Sequence, residues 1–395
     1  MQKVKAIFYR KKAKKSHFPL EIPLFFCYNM LHTKKSYKKE DTMKDLSEVL
    51  AAFGFEKDAT LVPWGNGHIN DTFRVNDKFI LQRINTSVFK NYEGLMNNVL
   101  LVTSFLQKEL YKNNGDILRE AMGVMPAIDG KIYYLCADGS VYRVYVFITD
   151  SLSLDAAQSA QDLFSCGLAF GEFQKKLSGF NADLLIETIP GFHDTLKRFE
   201  VFKQAIENDL AGIKERFKEE MQFFLDRYDE IKMIFDIYSK LPRRVTHNDT
   251  KLNNVLFDKD TRAPLCVIDL DTVMPGYAAN DFGDAIRFGA STAAEDEQDL
   301  SKVHFDLKLY EAFAEGFING GGDGLTMEEK LSFPYGAILM TFECGMRFLT
   351  DHLDGDKYFK IHRENHNLDR CRTHIQLVKE MEEALPTMTE IIKKQ

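Results

Sequence analysis

What is scarce in this chain narrows it first. Its six cysteines (Cys27, Cys136, Cys166, Cys266, Cys344 and Cys371) form no CxxC pair and no metal-ligand spacing, which argues against a zinc ribbon or a disulfide-stapled scaffold. Most lie among apolar residues, as reduced, buried thiols of a cytoplasmic protein do. No apolar run reaches the roughly 20 residues of a membrane span, and there is no internal repeat or low-complexity tract. Positive charge is outnumbered as well, with 51 Lys and Arg against 59 Asp and Glu. The formal net charge is −8 and no Lys/Arg face dominates the body of the chain, which disfavours a nucleic-acid partner.

What is present is ordinary globular material in an uneven arrangement. The 395 residues are 45% hydrophobic and 28% charged, enough for a sizeable core and too many for one small domain. Residues 1–42 hold eleven Lys or Arg against Glu21, Glu40 and Asp41, a local charge of +8, so residues 43–395 carry −16. The apolar stretch from Phe18 to His32 is broken by Pro19, Glu21 and Pro23 and lacks a small-x-small cleavage site. Residues 1–42 are therefore expected to lie outside the fold, as a disordered tail or as sequence upstream of it; Met43 opens an amphipathic stretch.

Two regions follow. Strand patterns occupy 59–84 and 130–148, with Asp138-Gly139 as a hairpin turn, and a helical spacing runs from Val88 to Leu110 between them. After Thr149-Asp150-Ser151, long amphipathic helices are expected at Gln158–Leu177 and Asp194–Leu241. Strands return at Arg244–Asp271 before helices resume. The expected architecture is α+β and bilobal: a small β-rich lobe over 43–150 and a larger helical lobe over 151–395, with the hinge at Tyr145–Asp150.

The chemistry concentrates in residues 243–276. His247-Asn248-Asp249 is followed by Asn254, an apolar hairpin and Asp269. Pairing Val255 with Ile268 and Phe257 with Cys266 sets Asn254 opposite Asp269, and opposed residues have Cβ atoms about 4.5–5.5 Å apart. An amide oxygen and a carboxylate at that separation can share Mg²⁺. Asp271, two residues on, can ligate the metal or orient a neighbour. Asp249 is suited to accept the proton of an attacking hydroxyl. A His-x-Asp-x-x-x-x-Asn segment with a following Asp is the arrangement of kinase-type phosphotransferases. Asp281-Phe282-Gly283 spells a kinase metal motif but lies too far downstream, so Asp281 and Asp284 are assigned to helix capping or ion pairing. In the strand-rich lobe, Gly65 and Gly67 open a turn suited to covering phosphates. Arg83 would then contact the α/β-phosphates of ATP with Glu93 as its acidic partner.

These residues resemble the aminoglycoside phosphotransferase and choline kinase superfamily over 55–385. Stretches such as GNGHINDTFRV (65–75), FILQRIN (79–85), IPGFHDTLKRF (189–199), HNDTKLNNVLFD (247–258) and VIDLDTVMPG (267–276) resemble the N-acetylhexosamine 1-kinases. That resemblance implies a protein-kinase-like fold and transfer of the γ-phosphoryl group of ATP, with Mg²⁺, to the anomeric hydroxyl of N-acetylglucosamine or N-acetylgalactosamine. His68, Arg347 and Tyr358, beside Asp249, are the candidate contacts to this small-molecule sugar. Aminoglycoside, choline or methylthioribose kinases, and a non-catalytic nucleotide- or sugar-binding protein, stay open as alternatives; so do the preferred acceptor and the oligomeric state.

Overall fold

Alternating apolar residues between Leu61 and Ile84 make strands, and the structure, a computed structural model describing residues 46–65 and 70–395, joins them into one antiparallel sheet. The basic extension 1–42, Cys27, Gly67 and His68 lie outside the described residues. After α1 (Ser47–Ala52) come β1 (Leu61–Pro63), β2 (Asp71–Val75) and β3 (Phe79–Ile84), then α2 (Tyr92–Lys112) and α3 (Ile117–Glu120). Next are β4 (Val124–Met125), β5 (Tyr134–Leu135) and β6 (Val141–Val146), giving the strand order β1-β2-β3-β6-β4 with β5 also on β6. Asn76 and Asp77 both take positive φ, 49° and 55°, as the tight turn from β2 to β3 requires.

The helical part follows: β7 (Ser151–Ser153), α4 (Ala160–Lys176), α5 (Thr195–Asn208), α6 (Lys218–Asp226), α7 (Tyr228–Tyr238), β8 (Arg244–Thr246), β9 (Val255–Asp258), β10 (Pro264–Val267) and β11 (Met274–Gly276). Helices then run to the end of the chain: α8 (Ala278–Gly289), α9 (Leu307–Gly321), α10 (Met327–Leu353) and α11 (His366–Lys394). The stretch Asp194–Leu241 is broken more finely than its amphipathic spacing suggests. Asp209 (φ 41°) and Gly212 (φ 66°) turn left-handed and stop α5, and a left-handed residue cannot continue a right-handed helix.

The hairpin of β9 and β10 corrects the expected register. Val267 faces Val255 and Cys266 faces Leu256, with an irregularity between Pro264 and Cys266. The Ile268 N–H donates to the Asn254 carbonyl at 2.9 Å, so Asn254 opposes Ile268 rather than Asp269. Residues 255–257 and 265–268 are continuously apolar, so their pattern does not select a register. The turn does: the Asp258 carboxylate accepts the N–H groups of Asp260 and Thr261, which fixes where the strands begin to pair.

Two apolar cores result. One joins the inner face of the sheet and α2 to Val245, Cys266, Leu270 and Val273 from the later part of the chain. The other fills the helical region around Phe282, whose ring stacks on Phe333 at 4.6 Å and meets Tyr310, Phe313 and Phe317 edge-on. Helix α8 is pressed onto α10 there: a Cβ at Gly283 would stand 2.1 Å from the Gly336 carbonyl oxygen, so only glycine fits.

Candidate active site

The loop 247–250 is held from below by α8. The Asp281 carboxylate accepts the N–H groups of His247 (2.9 Å) and Asn248 (2.8 Å) and the side-chain amide of Gln174 (2.8 Å). Burial pushes its carboxyl up, against the pull of those donors. Asp284 accepts the Thr250 N–H at 2.9 Å and pairs with Arg287 at 2.9 Å. Burial would raise the Asp284 carboxyl, but Arg287, Lys251 and His193 hold it below its ordinary value. The ion-pair assignment of Asp284 thus stands. Asp281 does neither expected job, since it pairs with no cation and caps no helix; it satisfies backbone donors of the loop. The tripeptide at 281–283 therefore supplies a clamp, a core ring and a close helix contact.

This clamp presents Asp249. His247 is fully buried; its Nε2 donates to the Ile268 carbonyl at 2.9 Å, and the Asp249 N–H reaches its Nδ1 at 3.3 Å. Asn248 takes φ 61°, which turns the next residue outward. The Asp249 carboxylate lies 2.6 Å from the Lys251 ammonium and accepts from Asn254 Nδ2 at 3.0 Å. Burial would lower the Lys251 ammonium, but Asp249 raises it. With Nδ2 spent on Asp249, no protein donor among the described residues engages the Asn254 amide oxygen.

Asp269 leaves β10 in the left-handed region, φ 61°, and that twist, rather than direct cross-strand pairing, aims it at the same cleft. No hydrogen-bonding or ion-pairing partner among the described residues holds its carboxylate. Desolvation by the cleft walls, then the charges of Asp271 and Asp249, push it up to about 7, although the side chain still meets solvent. A carboxylate and an amide oxygen that no partner among the described residues holds, on segments joined by the Ile268–Asn254 backbone hydrogen bond, are an oxygen-only donor pair, and they fit a hard divalent cation such as Mg²⁺.

The sheet side differs from expectation. Arg83 is half exposed and pairs with Asp71, its cross-strand neighbour on β2, at 2.6 Å. Ile80, Gln82 and Ile84 of the same strand turn toward the α2 side, so the period of two sends Arg83 to the opposite face. Glu93 accepts from Tyr133 Oη at 2.8 Å and does not meet Arg83. The Arg83–Glu93 pair is thus not formed. Gly65 takes φ 78°, and among the described residues nothing lies within 4 Å of where a Cβ would stand, as a turn before β2 allows.

The cation on the inner face is Arg143 of β6, opposite Gln82 and 1% exposed. It grips Asp271, with Nη1 2.5 Å from Oδ1 and Nη2 2.8 Å from Oδ2. Asn70 Nδ2 adds a contact of 2.8 Å to the same carboxylate. This corrects Asp271 as a metal ligand, because a carboxylate neutralised by a buried guanidinium is not a free donor. A charge amid the apolar run VYRVYVFI was the signal in the sequence, since buried charges are almost always paired.

Further along α10, Arg347 lies 5.7 Å from the Phe192 ring, 5.9 Å from Tyr358 and 5.4 Å from Phe359, so the two candidate sugar contacts come together. Asp351 shapes the segment that carries Tyr358 by accepting the N–H groups of Lys357, Tyr358 and Phe359. His366 is a satisfied core histidine, with Nε2 3.0 Å from Asp296. Glu343, buried in α10, takes His193 at 3.0 Å and Thr195 at 2.6 Å. Burial would raise its carboxyl, but His193, Arg198 and Arg347 hold it below its ordinary value. Glu295, Cys344 and His374 gather nearby. The Arg287 guanidinium, 2.8 Å from Glu295, already supplies the cation there.

A model of the phosphotransferase enzyme family matches residues 60–316. Among solved structures, a microcompartment-associated aminopropanol kinase superposes with a TM-score of 0.57 at 15% identity, covering 87% of this chain and 97% of its own. An amicoumacin kinase solved with AMP-PNP and Ca²⁺ gives 0.54 at 12%, over 86% and 92%. A choline/ethanolamine kinase family protein from Mesorhizobium loti gives 0.52 at 14%, over 88% and 95%. At these identities the likeness is one of fold, and that fold is the expected kinase-like α+β architecture.

Proposed function

Because the chain belongs to the phosphotransferase enzyme family, a group of small-molecule kinases, we propose that its acceptor is the anomeric hydroxyl of an N-acetylhexosamine, N-acetylglucosamine or N-acetylgalactosamine, with ATP as donor and a sugar 1-phosphate as product. The observation that carries the phosphoryl-transfer chemistry is the meeting of Asp249, fixed by Asn254 and Lys251, with Asp269, which has no side-chain partner among the described residues. Asp249 takes the hydroxyl proton as the sugar oxygen bonds to the γ-phosphorus, and the bond to the bridging oxygen breaks to release ADP. Asn254 and Asp269 would hold Mg²⁺, which offsets charge on the phosphates when bound. Lys251 adds positive charge beside the transferred group.

The acceptor side supports a neutral sugar over a cation. Arg198 and Arg347 lie close enough that, after burial, Arg347 is the next influence lowering the Arg198 guanidinium. A choline or aminoglycoside ammonium would be repelled there, and it would want an acidic or aromatic cage. Trp64, the one tryptophan, is instead covered by the Arg74 guanidinium at 4.2 Å. Arg347 framed by Phe192, Tyr358 and Phe359 offers donors and flat apolar faces, which suit hydroxyl, amide and ring surfaces of a sugar. A coupled ADP assay over N-acetylhexosamines, aminoglycosides, choline, ethanolamine, aminopropanol and methylthioribose tests the reading. Preference for an N-acetylhexosamine is expected; a kcat/KM tenfold higher for any amino alcohol or aminoglycoside overturns the sugar assignment.

A further inference from the structure

The ion pair between Arg143 and Asp271 joins residues 128 positions apart, and its surroundings show what it connects. Arg143 Nε and Nη2 also donate to Gln82 Oε1 at 3.0 and 2.8 Å, and Gln82 Nε2 donates to Thr72 Oγ1 at 3.0 Å. Nη1 lies 3.7 Å from Met96 Sδ on α2. Asn70, which closes the glycine-rich turn, gives its Nδ2 to Asp271 and accepts the Asn85 N–H through Oδ1 at 3.0 Å. Three strands, α2 and the end of the glycine turn therefore converge on one carboxylate.

That carboxylate sits two residues beyond Asp269. The intervening Leu270 is 1% exposed, as is Val273, and both pack in the core of the sheet and α2 rather than in the helical core. Asn98 of α2 donates to the Val273 carbonyl at 3.0 Å. The segment carrying Asp269 is thus seated on the strand-rich part of the molecule. Arg143 supplies its one full counter-charge there.

Resting on the phosphoryl-transfer reading above, we propose that Arg143 is a positioning residue: by gripping Asp271 it fixes the left-handed exit at Asp269, so that the metal-holding carboxylate is set on the strand-rich part of the molecule. Its guanidinium is 1% exposed and held by Asp271, Gln82 and Met96, so it acts through them and not by touching phosphate. Partners behind a metal ligand commonly tune affinity by 10–100-fold.

Mn²⁺ binding to the full-length protein in the presence of ADP, read from the loss of the free-ion electron paramagnetic resonance signal, provides a test independent of turnover. In Arg143→Met the Mn²⁺ dissociation constant is expected to rise about tenfold or more, and kcat should fall with little change in acceptor KM. Arg143→Lys keeps the charge but loses the two-pronged grip, and should rise less, about threefold. Thermal unfolding and circular dichroism identify the folded fraction; should Arg143→Met not fold, Arg143→Lys decides. Were Asp271 itself a metal ligand, removing Arg143 would free it and tighten Mn²⁺ binding, the opposite sign. Unchanged or tighter binding in a folded variant overturns the proposal, as does a lowered melting temperature with unaltered affinity. Asp269→Asn serves as the control. If Asp269→Asn leaves Mn²⁺ affinity intact, the metal assignment fails. If it abolishes binding while the Arg143 variants bind normally, only the positioning role fails.

Discussion

The loop that carries Asp249 and the sheet that faces it are built on opposite plans. From His247 to Asp271 the loop and hairpin draw their chemistry from 25 consecutive residues, clamped by two carboxylates of α8 that lie a few residues further on. The sheet gathers its contribution from Asn70, Gln82 and Arg143, which meet only because three strands pair. Local assembly makes the loop around Asp249 insensitive to small shifts in sheet register, whereas Asp269 is tied to the sheet through Asp271. In the sheet, the period of two decides everything. Arg83 and Arg143 are both strand arginines paired to an aspartate, yet one is half exposed on the outer face and the other is buried beside Asp271. An exposed pair contributes on the order of 0–1 kcal/mol, whereas breaking a buried one by removing a partner costs about 3–5 kcal/mol.

The contrast is open to attack at several points. The largest effect belongs to Asp249→Ala, which should lower kcat by about a thousandfold or more while ADP binding, measured by calorimetry, is retained. A variant keeping more than about a tenth of wild-type kcat would sink the assignment of Asp249 as base. Asp269→Asn should lower kcat about a hundredfold and raise the Mg²⁺ concentration needed for half-maximal rate.

Helix α8 carries the clamp, so Gly283→Ala should loosen the loop from beneath. The added methyl group meets the Gly336 carbonyl, and overpacking of this kind costs about 1–3 kcal/mol; a melting temperature within a degree of wild type would show that α8 and α10 can part without penalty.

Asp269 also has a pH signature. Its carboxyl titrates near 7 in the folded chain, above the ordinary value of about 3.9. A raised acid destabilises the fold once ionised, so the metal-free protein should lose stability relative to Asp269→Asn as pH rises from about 4 to 7. Mg²⁺ should reverse that loss, and should bind more weakly as pH falls below 7. Melting curves of both proteins with and without Mg²⁺ check the sign. The smallest effect is that of Arg83→Ala, which should change kcat and the KM for ATP less than threefold, since an outward pair with Asp71 serves neither. A tenfold rise in that KM would restore Arg83 to the nucleotide.

Much of the site was legible because its residues are close in sequence. Asp249, Asn254 and Asp269 could be read from their spacing, even though the register behind the reading was off by one residue. Asp269 reaches the cleft by its left-handed backbone instead. Asp281 and Asp284 read as capping or ion-pairing residues, yet only the folded chain shows that Asp281 holds amides of the loop. The link from Arg347 through Glu343 to His193 and Thr195 had a fainter signal, a glutamate inside an apolar helix.

By itself the sequence determined what local pattern and short spacing control: α+β character, a strand-rich part before a helical one, and the spacing of Asp249, Asn254 and Asp269, the acid, amide and second acid of the proposed site. Only the tertiary structure decided which arginine faces inward, which carboxylate is left without a partner, and what holds the loop in place. The physical reason is that a strand's two faces differ by one residue of register, and register is set by turns and long-range pairing. The sign and burial of a charge's neighbours are likewise decided by chain segments more than a hundred residues away.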